Sequence, residues 1–128
     1  MENSNNCSNG NNTDLELDRF RQIINNKINE KKNQIYQSHS MAYNNNVQHE
    51  INCLKWVLGI TNPRIQIQIS QLENIIQNEV KKFDTTLRTK SLSILKRDKF
   101  IVYWETLQWV LYVIQSIKER GLHWQFNI

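Results

Sequence analysis

Apolar side chains recur three and four positions apart in four separate stretches of this chain, and little interrupts them: 128 residues hold 3 glycines and 1 proline. Spacings of three and four place side chains on one face of an α-helix. An all-β chain needs frequent turns, and turns draw on glycine and proline. The expected fold is therefore all-α, a small bundle of about four helices with a disordered Asn-rich N-terminal tail. The length suits a single domain. Residues 1–12 are half asparagine and cannot bury apolar surface, so they read as the tail, leaving residues 13–128 as one helical domain.

The first helix is expected to open at Thr13, because "TDLE" fits a capping box. Its apolar face runs through Leu17, Phe20, Ile24, Ile28 and Ile35, with Lys31 in the same series, to about residue 37. The asparagines at 44–46 favour a turn, so Asn45 or Asn46 is expected to cap a second helix. Val47, Ile51, Leu54 and Leu58 form its face, and Gly59 reads as its stop. Next, Asn62 and Pro63 carry cap and first-turn signals for a third helix. "RIQIQI" at 64–69 alternates with period two and leaves a strand open there, although Ile65, Ile69, Leu72, Ile76 and Phe83 also fit a helical face. A break is expected near "FDTTLRTKS", with Asp84 or a neighbouring threonine as a cap. The last helix begins between Ser91 and Asp98 and ends at Gly121.

Two hexapeptides echo each other, "CLKWVL" at 53–58 and "TLQWVL" at 106–111. In each, Leu, Val and Leu at i, i+3 and i+4 make one stripe, and the tryptophan sits at its flank. Trp56 and Trp109 are thus expected to plug seams between helices. The match does not extend beyond the hexapeptides, so it reads as two solutions to core-building rather than a duplication. The last helix is apolar around most of its circumference, with a narrow polar stripe at Glu105, Gln108, Tyr112, Gln115 and Glu119. It reads as the central helix or as a subunit interface formed by Tyr103, Trp104, Trp109, Tyr112 and Val113. The alternative is that Leu122, Trp124 and Phe126 fold back and cover the excess.

Motifs for chemistry are sparse. No glycine cluster could cradle a phosphate. His49 and Cys53 lie four apart, and His39 could join them, but zinc sites use four ligands in tighter spacing; a surface histidine beside a buried thiol is the simpler reading. Glu105 is an acid inside an apolar run, read as a solvated residue of the polar stripe rather than a catalytic one. The two cysteines, Cys7 and Cys53, read as free thiols of a reducing compartment. No catalytic residue, metal site or cofactor is expected. No signal sequence is evident, and the longest apolar run, residues 100–114, is shorter than the ~20 residues of a membrane span. A soluble cytoplasmic protein without a membrane role is the expectation. The abundance of Asn, Ile and Lys, all encoded by AT-rich codons, points to an AT-rich genome such as that of a low-GC bacterium, a phage or another mobile element.

The strongest functional signal is charge. Lys81, Lys82, Arg88, Lys90, Lys96, Arg97 and Lys99 face only Asp84 and Asp98 in residues 81–99, a local +5 in a chain of net +4. Such a cluster can neutralise phosphates; the plainer alternative is a solvated helix end. Phe83 is the one aromatic in the stretch and gives no run of stacking platforms, so contact with an RNA or DNA backbone, without base readout, is what the pattern supports. A helix-turn-helix regulator is disfavoured, because no short helix, glycine-containing turn and polar recognition helix occur together. The sequence therefore suggests a non-catalytic accessory subunit that self-associates or docks on a larger protein in a nucleoprotein complex. A free-standing basic nucleic-acid-binding protein or regulator is the alternative.

Overall fold

The computed structural model describes residues 3–37, 40–62 and 64–120, with side chains from residue 15 onward. Among the described residues, four helices make a small all-α bundle: α1 (Asn3–Gln37), α2 (Met41–Ile60), α3 (Ile69–Thr89) and α4 (Ile94–Arg120). No strand occurs among the described residues. None of these helices is long and apolar enough to cross a membrane. The helices alternate in direction along the chain. The α1–α2 and α3–α4 hairpins pack through α4 against α2, and α1 also reaches α4. The α2 and α3 helices barely meet.

The apolar series read from the sequence become the core. Leu17, Phe20, Ile24 and Ile28 of α1 are buried, together with Ile23. Val47, Ile51, Leu54 and Val57 supply α2, and Ile69, Leu72 and Ile76 supply α3. The α4 stripe runs through Leu107, Val110, Val113, Ile114 and Ile117. Leu58 and Leu111, the outer members of the echoed stripes, are partly buried against it. Trp109 does lie at a seam, with the Lys27 ammonium 5.3 Å from its ring centre, a cation–π contact between α1 and α4. Trp56 is exposed.

Several helix boundaries differ from the cap signals. The backbone of α1 begins at Asn3, ahead of Thr13, and its first buried side chain is Leu17. The tail read at 1–12 falls on residues 1–2, outside the description, and on residues described by backbone alone. The α2 helix is capped by Ser40, whose hydroxyl accepts the Tyr43 N–H at 3.2 Å, one turn before the asparagines. It also runs past Gly59 to Ile60 and ends at Thr61, whose N–H and hydroxyl both donate to the Leu58 carbonyl.

Residues 64–68 are neither helix nor strand. Asn62 caps only a single turn: its side chain accepts from the Arg64 N–H at 3.0 Å and its carbonyl from Ile65. Gln66 then adopts a left-handed φ of 54°, which breaks both periodicities. Ile67 and Ile69 turn inward and Ile65 stays exposed. The third helix starts at Ile69, with the Gln71 side chain accepting the Gln68 N–H at 2.8 Å. The break expected at "FDTTLRTKS" comes at its end: α3 runs through Asp84 to Thr89, and the chain leaves the helix at Lys90. Asp84 pairs with Arg88 one turn on, and the Thr89 hydroxyl donates back to the Thr85 carbonyl. These polar side chains are satisfied inside the helix and do not stop it. The region expected to fold back, Leu122 to Phe126, lies outside the described residues.

Candidate nucleic-acid interface

The basic stretch forms one end of the bundle. It comprises the last turns of α3, the connection at 90–93 and the first turns of α4. Ser93 starts α4: its hydroxyl accepts the Lys96 N–H at 3.2 Å and its carbonyl the Arg97 N–H at 2.9 Å. The short connection brings the cations of both helices to the same tip.

The seven cations are not equivalent there. Arg97 reaches across the hairpin and donates to the Leu87 carbonyl at 3.3 Å, closing the negative end of α3. Arg88 pairs with Asp84 at 2.8 Å and Lys82 with Glu79 at 3.7 Å. Both cations are solvent-exposed, which leaves them able to meet a second anion. The Lys99 ammonium lies 5.6 Å from the centre of the Tyr103 ring. Lys81, Lys90 and Lys96 are exposed, and no acid of the described residues pairs with them. Ile94 and Leu95 project from the same tip, 79% and 82% exposed. An apolar pair held this far into water beside cations was not singled out by the sequence pattern, which left both residues at the open start of the last helix and gave no face for either.

The aromatic set proposed for an interface does not gather on one surface. Val113 is fully buried among the chain's own helices, because it continues the stripe of Val110 and Ile114; it leaves the candidate set. Tyr103 is half-buried in an aromatic cluster, its ring 5.7 Å from Phe83 and 6.1 Å from His49, each edge-on. Burial pushes its phenol pKa up. Trp104 and Trp109 are half-buried on α4, and Tyr112 is 52% exposed. Helical spacing sends these side chains to different neighbours. Glu105 is exposed on the polar stripe.

Cys53 is buried, and its sulfur lies 3.9 Å from the Tyr103 carbonyl. Burial, with Glu79 and Glu50 adding to it, pushes its thiol up to about 12. His49 is held below its ordinary pKa by burial and then by Lys99. No group of three or more metal-capable side chains occurs among the described residues. His39 lies outside them. Glu73 is the acid that the sequence reading passed over. It is almost covered, and it accepts from Lys118 at 2.7 Å and from Gln115 at 3.2 Å. The hydrogen bond from Lys118 holds its carboxyl below the usual range against the opposing effect of burial. A signal was present: Ile69, Leu72, Glu73 and Ile76 have the spacing of one helical face.

No protein-family model matches the sequence, and neither a curated protein nor a solved structure matches the chain.

Proposed function

We propose that this protein is a non-catalytic helical subunit of a cytoplasmic nucleoprotein assembly, and that the α3–α4 hairpin end contacts the phosphate backbone of RNA or DNA. The observation that carries the reading is the convergence of cations from two helices on one exposed tip, in a chain that is otherwise close to neutral. Phosphate contact needs cations that can leave water or a weak partner, and exposed lysines and surface ion pairs meet that condition. Cys53, the described thiol, is buried and held far from ionisation, which counts against it as a nucleophile. Docking on a larger protein is supported by the apolar pair Ile94 and Leu95, which a protein acting alone has little reason to expose.

Titrating nucleic acid against the purified protein at several salt concentrations tests the reading. Binding is expected at low salt and should fall steeply as salt rises. Replacing Lys90 and Lys96 with glutamine should make the log–log slope shallower by about 1–2, the loss of roughly two phosphate contacts. Both side chains are exposed, so thermal stability should not change. No binding at low salt would overturn the proposal. Tight binding to nucleic acid by the protein alone, with no partner retained on purification, would favour a free-standing binding protein over an accessory subunit.

A further inference from the structure

We infer that the cleft between the first turns of α2 and α4 seats one unstacked nucleotide of a single-stranded nucleic acid. The inference rests on the reading of the basic end as a phosphate contact and adds to it a site and a class of ligand. The cleft opens beside the basic tip, because α2 and α4 run in the same direction and start at the same end of the bundle. Its volume is about 630 Å³, within the range of small-molecule sites and enough for a single nucleotide. The groove of a duplex offers no base that could enter it.

The walls supply the groups that a nucleotide requires. Lys96 and Lys99 stand on the α4 side and can take the phosphate. Neither the first turn of α2 nor that of α4 carries an acid, so both helix ends add positive potential. Asp98 is the one acid on the lining and is outnumbered by the lysines. The α2 side offers Asn45 and Asn46, both exposed. A carboxamide carries donor and acceptor together, the combination that reads a base edge. Leu95, almost bare to solvent, gives an apolar surface to the face of a base. His49 also lines the cleft, and its buried Nδ1 finds no partner among the described residues.

This combination favours a single strand over the alternatives. A phosphate alone would need the cations but not the paired amides. An anionic lipid surface is flat; it would meet Ile94 and Leu95 at the tip and leave the cleft empty. Base edges become available to a protein wall of this kind when the strand is unpaired and a base is splayed from its neighbours.

Fluorescence anisotropy with labelled oligothymidylate, free and annealed to oligoadenylate, provides the test. The full chain should bind the free strand at least about tenfold more tightly than the duplex at equal salt, a difference of one to two hydrogen bonds. Replacing Asn45 and Asn46 with alanine should weaken the free strand by about tenfold. The same variant should keep its duplex affinity and its salt slope, and should melt no lower than the parent, since both side chains are exposed and alanine favours a helix. If free strand and duplex bind alike and the variant changes neither, the cleft assignment is wrong and the phosphate reading stands. If neither binds at low salt, both fail. Retention on phosphatidylserine vesicles by a protein that ignores the oligonucleotide would also overturn the inference, and would assign the tip to a membrane surface.

Discussion

Where α2 ends and α3 begins, the helix termini are locked by side chains from neighbouring helices. Where α3 turns into α4, they face water. At the first end the Arg21 guanidinium of α1 donates through both Nε and Nη2 to the Thr61 carbonyl, which closes α2. Thr61 itself is fully buried. Lys118 of α4 crosses to Glu73 of α3. At the second end one cation, Arg97, is used across the hairpin in this way. The others pair within their own helix or reach solvent. The same residue types thus serve cohesion at one end and are left available at the other. Net charge cannot distinguish these uses; placement can.

The comparison is broken most directly by truncating one apolar side chain at each end. Ile117, 1% exposed and one residue from Lys118, lies in the core near the locked end. Ile117→Ala should cost about 2–5 kcal/mol in denaturant unfolding, through lost burial and the cavity left behind. Leu95→Ala at the open end should change stability by no more than about 0.5 kcal/mol, because 82% of that residue is already in water. A cost at Leu95 comparable to that at Ile117 would mean that the tip is part of the core and is not a free surface.

The two ion pairs that mark the ends should differ next most. Lys118→Met leaves the nearly covered Glu73 with only Gln115 as a donor, and should cost about 1–3 kcal/mol near neutral pH. Arg88→Met removes a pair whose partners are 71% and 44% exposed, so the loss should stay below about 0.5 kcal/mol. Acid separates the pairs further. The folded pKa of Glu73 is depressed, so its contribution is fully present above the unfolded value of about 4.3. As pH falls below that value the unfolded chain takes up the proton first, and stability drops until the folded carboxyl is protonated as well. Urea midpoints followed from neutral pH into this range should fall less steeply in Lys118→Met than in the parent chain. Parallel curves would show that Lys118 does not set the protonation of Glu73.

The fold was largely legible in the sequence because it depends on a periodic signal that many residues repeat. Leu17 to Ile35, Val47 to Leu58 and the stripe through Leu107 each contain enough spacings of three and four that no single exception alters the face. Boundaries depend on one or two residues and were read less well. Asn62, Gly59 and Asp84 each have a second common use, in an Asx turn, inside a helix, or in an i,i+4 pair, and each took it. The site was legible as charge and not as shape. The run 81–99 identified the cations, but the cleft needs Asn45, Asn46 and His49, which lie some fifty residues earlier along the chain. Only the parallel course of α2 and α4 brings them alongside Lys96 and Lys99. Val113 failed as an interface residue for a related reason. Periodicity shows that a helix is apolar on most sides; it does not show which side its own chain covers.

A smaller contrast than these two concerns what ends α2 at the locked end, and its sign decides between two accounts. If Gly59 stopped the helix in a left-handed conformation, as its position near the end of the apolar run suggests, alanine there would be destabilising, because a Cβ disfavours that conformation. In the structure Gly59 lies within α2, and a Cβ built on it would meet nothing within 4 Å. The helix is ended instead by the Thr61 cap, with Arg21 on the Thr61 carbonyl. Glycine inside a helix is less favourable than alanine by roughly 0.5–1 kcal/mol, partly because it leaves more freedom to the unfolded chain. Gly59→Ala should therefore raise stability by about 0.5 kcal/mol or slightly more, measured as a higher denaturant midpoint at unchanged slope. A lower midpoint would return the stop to the glycine and reduce the Arg21–Thr61 contact to a by-product of it. Combining Gly59→Ala with Arg21→Met sharpens the result. With the stop at Thr61 the two changes touch different groups and should add, the arginine loss reducing stability whichever residue stands at position 59.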